Sequence, residues 1–267
     1  QLFCVNFRDG SDEEIDYTYN ILKPGGCMYR TMPMEKAISF TKKVRSRTNL
    51  PLLIAGNLEK GGNGIIEEGT LLGSPMEIAA TRNIDMCKKL AIVCAKEGKA
   101  VGANWAFAPI VDIDSNFRNP ITNTRTFGSD PELVKIMGAE YVKTIQSHGV
   151  AASIKHFPGD GQDERDQHLV TSINDLSCEE WDKTYGKVYK TCIEEGALTC
   201  MIGHISLTSY TKFYSPKIRD EEILPASLSK ELMGNLLRGK LGFNGMIVTD
   251  ATTMAGYTLA MSRKEAV

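Results

Sequence analysis

The run Lys155-His156-Phe157-Pro158-Gly159-Asp160-Gly161, continuing through Asp163, Glu164, Arg165, Asp166, Gln167 and His168, is the stretch of this sequence richest in groups able to move protons or hold oxygens. It carries two of the four histidines in the chain. An apolar segment feeds a Pro-Gly turn and then a long polar loop, and such loops at the end of a buried strand are where function concentrates. Asp166 stands two residues before His168. At that spacing a carboxylate can accept a hydrogen bond from the imidazole, fix its tautomer and stabilise its cation. Imidazole titrates near 6.5, which suits giving and taking a proton at neutral pH. The same pair also fits a solvated loop whose Asp and His face water.

Asp250 is the second focus. It ends the apolar run Met246-Ile247-Val248-Thr249. An ionised carboxylate there could act as a nucleophile, or it could cap a following helix. Phe107-Ala108-Pro109-Ile110-Val111 leads to Asp112 and then to a long loop with Arg125. Asp112 and Arg125 could hold substrate hydroxyls, or pair with each other and close the top of a barrel. Lys155 and His156 could bind substrate oxygens, or be a Lys paired with an inner carboxylate and a packed His. His204 fits either a site or a satisfied core histidine. A metal held by His156, His168, His204, Asp166 and Asp250 is disfavoured. There is no HExxH, no His-x-His on an early strand and no cysteine cluster, and the loop lacks the calcium-binding Asp-x-Asp-x-Asp-Gly spacing. No cofactor motif is present, so neither metal nor cofactor is expected.

These residues need elements to position them. Short apolar runs rich in Val, Ile, Leu, Phe and Ala recur at Gln1–Asn6, Gly26–Arg30, Pro51–Gly56, Ala103–Val111, Ala151–Phe157, Leu198–Ile205 and Gly245–Ala251. Most do not alternate, as expected of parallel strands buried on both faces. The last four begin 47 to 48 residues apart. Between them lie helix signals. Ser74-Pro75-Met76-Glu77 is a capping box, with Ile84, Cys87, Ala91 and Cys94 at helical spacing behind it. Ser129-Asp130-Pro131-Glu132 and Ser177-Cys178-Glu179-Glu180 open two further helices, and a fourth spans about 227–238. Strand–helix alternation gives a parallel sheet covered by helices. A doubly wound sheet would want a Gly-rich phosphate turn, and no GxGxxG occurs. A (β/α)8 barrel instead gathers polar residues at the C-terminal ends of many strands. Asn57, Glu59, Asp112, Lys155, His156, His204 and Asp250 all fall there. The expectation is therefore a TIM-type barrel as one domain over residues 1–267, apparently truncated before the eighth strand.

Bulk properties narrow the function. With 31 Lys and Arg against 33 Asp and Glu, the net charge is −2, which gives no electrostatic footprint for nucleic acid. No apolar run approaches the roughly 20 residues of a membrane span. Seven scattered cysteines without a CxxC read as reduced thiols rather than a disulfide framework, which favours a cytoplasmic setting. The start at Gln1, inside an apolar run, suggests a trimmed N-terminus.

Four segments together resemble glycoside hydrolase family 3, and specifically its β-N-acetylglucosaminidase branch. Leu52-Leu53-Ile54-Ala55 runs into Glu59-Lys60-Gly61-Gly62. Phe107-Ala108-Pro109 leads through Asp112 to Arg125-Thr126-Phe127-Gly128 and Asp130-Pro131. Lys155-His156-Phe157-Pro158-Gly159-Asp160-Gly161 leads to Asp166-Gln167-His168, and Met246-Ile247-Val248-Thr249-Asp250-Ala251 closes the set. They follow the family's order and look like its N-terminal barrel. The resemblance implies Asp250 as nucleophile, His168 as acid/base and Asp166 as its partner. It implies that Arg125, Lys155 and His156 hold the sugar before the cleaved bond. Other members of the family take their acid/base from a second domain, so the Asp-x-His pair points to the hexosaminidase branch. Two positions depart from the pattern. Asn57 stands where an Asp usually binds sugar hydroxyls, and Asn63-Gly64-Ile65-Ile66 stands where an arginine usually follows the Gly-Gly.

The implied chemistry is retaining hydrolysis of terminal N-acetylglucosaminides through a covalent glycosyl-enzyme, with His168 in a place more usually held by a carboxyl group. Neutral imidazole repels an anionic acceptor less than a carboxylate would, so phosphorolysis is an open alternative, as is β-glucosidase action. A non-catalytic sugar-binding barrel is the alternative from another class.

Overall fold

The computed structural model describes residues 2–7 and 10–266. Seven strands form one sheet, in the order in which the chain visits them: β1 (Cys4–Phe7), β2 (Gly26–Tyr29), β3 (Leu53–Gly56), β4 (Trp105–Ala106), β5 (Ala151–Phe157), β7 (Thr199–Ile202) and β9 (Met246–Thr249). Every neighbouring pair is parallel. Two short strands, β6 (Ser172–Asn174) and β8 (Ile205–Leu207), make a separate parallel pair. Sequential parallel strands need covering crossovers, and helices supply them. The sheet curls as a barrel does, and among the described residues no pairing joins β9 to β1.

The helices are α1 (Asp12–Tyr17), α2 (Met34–Ser46), α3 (Pro75–Ala80), α4 (Ile84–Ala100), α5 (Pro131–Ser147), α6 (Cys178–Trp181), α7 (Lys187–Glu194) and α8 (Thr208–Tyr214). The main core lies between them and the sheet, where Ile54, Leu90, Tyr141, Ile154, Trp181 and Tyr189 are fully buried. A smaller cluster of Ala55, Trp105, Phe107 and Met201 fills the base of the barrel interior. There the Trp105 indole donates to Thr199 Oγ1 at 2.8 Å.

Several expectations need correction. Gln1 of the first predicted strand lies outside the described residues, and that strand runs over Cys4–Phe7. The predicted strand 103–111 pairs regularly only over Trp105–Ala106. Pro109 has no N–H to give a ladder, so the segment continues beside β5 with scattered bonds such as Val111 N to Lys155 O at 2.8 Å. The predicted strand 198–205 breaks after Ile202 and resumes as β8, which pairs with the unpredicted β6. The capping box at Ser74 opens only α3; Arg82 then turns left-handed, and Asn83 caps α4 afresh by accepting from Asp85 N. The fourth predicted helix, about 227–238, is a short turn at Ala226–Leu228 followed by a wider helical segment at Glu231–Lys240. The second and third helix starts stand as read, with Asp130 and Ser177 as N-caps.

Candidate active site

The C-terminal ends of β3, β5 and β9 converge on a cavity of about 780 Å3. Its rim carries Asn57, Arg125, Lys155, His156, His168 and Asp250, and its base is lined by apolar strand residues such as Met28, Trp105 and Met201. All three candidate catalytic elements therefore meet around one opening: the β9 carboxylate, the β5 Lys-His pair and the loop histidine.

β5 presents Lys155 and His156 in succession near its exit, and each is fixed by a buried carboxylate. Lys155 Nζ donates to Glu59 Oε1 at 2.8 Å. Arg125 grips the same carboxylate with Nε to Oε2 at 3.1 Å and Nη2 to Oε1 at 2.9 Å. Burial is the strongest single influence on Glu59 and opposes its charge, yet Lys155 and Arg125 outweigh it and hold the acid well below the ordinary glutamate value. Two cations thus share one anion. The shared carboxylate holds both side chains in a fixed orientation at the rim.

His156 is held by Asp112, which sits just beyond the segment that follows β4. Its Nδ1 lies 2.7 Å from Asp112 Oδ2, while its backbone N–H donates to Asp112 Oδ1 at 3.0 Å. A carboxylate only accepts, so Nδ1 carries a proton and Nε2 is turned toward the cavity. Nε2 lies 3.9 Å from Asp250 Oδ2. Asp112 itself is fully buried, accepts a third bond from Asp160 N at 2.8 Å and does not line the cavity. Its partner is His156, whereas Arg125 pairs with Glu59. Of the roles open to Asp112 in the sequence, the geometry places it behind His156 rather than against a ligand.

Asp250 sits where β9 ends. Its N–H donates to Ile202 O at 2.9 Å, and its Oδ1 accepts from Ala251 N at 2.7 Å. Burial is the largest influence on its acidity and favours the neutral form. The opposing pull of His156, the Ala251 amide and Lys155 is greater in sum, so the carboxyl lies below the ordinary aspartate value and is ionised at neutral pH. Its side chain is 19% exposed, enough for a ligand to reach Oδ2.

His168 stands on the polar loop at the same opening. Its Nδ1 lies 2.7 Å from Asp166 Oδ1, and its N–H donates to the same oxygen at 2.8 Å. The tautomer is fixed as for His156, which leaves Nε2 available. At 54% side-chain exposure, the ring meets both cavity and solvent. His204 is different. It is buried, with Nδ1 2.8 Å from Ser227 Oγ and Nε2 3.1 Å from Ala251 O, and it does not line the cavity. Burial lowers its pKa below the ordinary 6.5. Asn57 is exposed at the rim, between the main cavity and a smaller one of about 350 Å3 that Glu59, Lys60, Asn63 and Arg125 also line.

Sequence reasoning passes over three residues that organise this site. Glu59 is visible there only as a strand-end acid before a Gly-Gly pair. Asp160 and Gln167 look like loop polarity, yet both are about 1% exposed.

A curled parallel sheet thus brings an ionised carboxylate at one strand end and a carboxylate-backed histidine on another strand's loop to one opening. The chain belongs to the glycosyl hydrolase family 3 N-terminal domain family, whose model matches residues 20–267. A beta-N-acetylglucosaminidase/beta-glucosidase of Cellulomonas fimi is 49% identical over 267 residues, all of this chain and 47% of that protein. The beta-hexosaminidase A of Pseudoalteromonas piscicida is 34% identical over 80% of this chain and 37% of its own length. Among solved structures, the beta-glucoside phosphorylase BglX bound to 2FGlc has a TM-score of 0.94 at 48% identity, covering 100% of this chain and 48% of that one. A family 3 beta-N-acetylglucosaminidase of Paenibacillus sp. str. FPU-7 has a TM-score of 0.86 at 29% identity, over 97% and 49%. The chain thus spans about half the length, or less, of these four relatives.

Proposed function

We propose that this chain is the catalytic barrel of a retaining β-glycosidase that removes terminal non-reducing β-N-acetylglucosamine, with Asp250 as nucleophile and His168 as acid/base. The observation that carries the reading is the joint placement of an ionised Asp250 and an Asp166-backed His168 on the rim of one cavity. In the first step Asp250 attacks the anomeric carbon and protonated His168 gives its Nε2 proton to the departing oxygen. The C–O bond breaks with its electron pair going to that oxygen. In the second step neutral His168 takes a proton from water, the oxygen attacks the anomeric carbon, and Asp250 leaves as carboxylate. Arg125, Lys155 and His156 hold the sugar hydroxyls, with Asn57 at the rim and Glu59 fixing the two cations. The names of the Cellulomonas fimi and Pseudoalteromonas piscicida relatives support an N-acetylhexosamine substrate.

A second reading has its own support. The BglX phosphorylase is about as similar in sequence as the Cellulomonas fimi relative, and a neutral histidine admits phosphate where a carboxylate would repel it. Phosphate would then take the place of water, giving a sugar 1-phosphate, and glucosides would be accepted as well.

The test uses p-nitrophenyl β-N-acetylglucosaminide and β-glucoside side by side, in phosphate and in a phosphate-free buffer. Turnover should fall by roughly 10²–10⁴-fold in His168→Ala and be abolished in Asp250→Ala. Sugar phosphate appearing only with phosphate would establish phosphorolysis. Full activity in Asp250→Ala would sink the mechanism.

A further inference from the structure

Gln167 lies between the proposed acid/base and its carboxylate, yet its side chain points away from both, into the protein. It is about 1% exposed, and both ends of its amide are bonded. Nε2 donates to Asp160 Oδ2 at 3.1 Å, and Oε1 accepts from His204 N at 2.8 Å. Asp160 is itself immobilised. Its Oδ1 accepts from Asn119 Nδ2 at 2.8 Å and from Gly161 N at 2.7 Å, and its backbone carbonyl accepts from Tyr185 OH at 2.7 Å. The loop backbone is held from the other side as well. Ala255 N donates to His168 O at 3.0 Å, and Gly256 N donates to Gln167 O at 3.1 Å. Gly256 permits that approach, because a Cβ there would lie 2.7 Å from Gln167 O and 2.9 Å from His204 Cβ. Around these anchors the loop is polar, and His168 is half exposed.

We infer that Gln167 is the positioning residue of the His168 acid/base: its buried amide latches the loop to Asp160 and to the β7–β8 junction, so that His168 Nε2 is kept facing the cavity. The inference rests on the proposed role of His168, and it extends that role to a residue whose side chain is bonded inward, to Asp160 and His204. A buried amide with two satisfied ends has one geometry, and losing either partner leaves a desolvated polar group.

The experiment uses the full-length natural chain carrying this sequence, with three variants. Gln167→Met keeps the volume and removes both bonds. Gln167→Glu sets a carboxylate against Asp160. Asp160→Asn combined with Gln167→Glu reverses donor and acceptor and restores the pairing. The amide introduced at position 160 can donate to the carboxylate introduced at position 167, while its oxygen still accepts from Asn119 and Gly161.

Two readouts are required of each variant. In kcat/KM over a leaving-group series, Gln167→Met should lose about 10-fold or more on phenyl and alkyl glycosides, which need protonation. It should lose no more than about 3-fold on the 2,4-dinitrophenyl glycoside, which does not. Hydrogen exchange over residues 162–171 should quicken in both single variants and recover in the double variant. The inference is overturned by unchanged exchange in that segment, or by a loss equal across good and poor leaving groups. Should the wild-type chain cleave no glycoside at all, the proposed function fails, and the exchange result alone decides whether Gln167 is a latch.

Discussion

Burial, with the adjacent Asp112 carboxylate, pushes the Asp160 acid from 3.8 up to about 6. A folded-state value above the unfolded one means that the native chain holds this proton longer, so the group's contribution to stability falls as pH rises from 3.8 to about 6. Asp250 and Glu59 act with the opposite sign. Both are held below their ordinary values, so their contributions are present above the ordinary carboxylate range and disappear as pH drops through the lowered values. Asp160→Asn removes only the first dependence. Denaturant titrations between about pH 4 and 7 should show this variant gaining on the wild type as pH rises through the interval. A constant offset would mean that Asp160 titrates as an ordinary aspartate. At this scale the sequence exposes the groups but not their partners. Lys155 and Arg125 stand 96 and 66 residues from Glu59, so nothing local marks that carboxylate as the anchor of both. Gln167 is hidden for a different reason: an amide among loop acids reads as solvated until its burial is known.

Elements are more legible than their contacts, because caps and apolar runs act locally. Asp130 followed by Pro131 announces α5, and the structure has Asp130 accepting from Glu132 N at 3.0 Å. Asp130→Ala should therefore cost about 1 kcal/mol, seen as a Tm lower by about 2–4 °C, with glycoside turnover untouched. A change in turnover would tie the α5 N-cap to the site in a way the exposed position of Asp130 does not suggest. Where the sequence misleads about an element, a single residue intervenes that periodicity cannot register. Pro109 removes a ladder donor from the strand after β4, and the left-handed turn at Arg82 divides what reads as one helix. The turn at Gly159 shows how tightly elements can depend on one position. Its φ is +116°, and a Cβ there would lie 2.1 Å from the Tyr185 ring. That contact lets the helical run from α6 to α7 seat directly on the exit of β5.

The whole chain reads as one curled sheet because each βα unit repeats the same burial problem, and the even spacing of the last four runs reflects it. Its thiols follow from that architecture. All seven cysteines are free; five are buried, while Cys4 and Cys178 are partly exposed. Burial drives the thiols of Cys87, Cys94 and Cys192 up to about 12, away from the reactive thiolate. A thiol reagent should label no more than the two partly exposed sites in the native chain and all seven after unfolding, with peptide mapping to assign them. Rapid native labelling of Cys94 or Cys192 would contradict the packing between sheet and helices. Among the described residues no helix is long and apolar enough to cross a membrane.

The bonds from Ala255 and Gly256 to the backbone of Gln167 and His168 join two stretches of chain that reach the site from different strands. One continues the strand that bears Asp250; the other bears His168. Two backbone bonds thus make the placement of the loop that carries His168 depend on the segment that follows Asp250, so a substitution in either stretch is felt in the other.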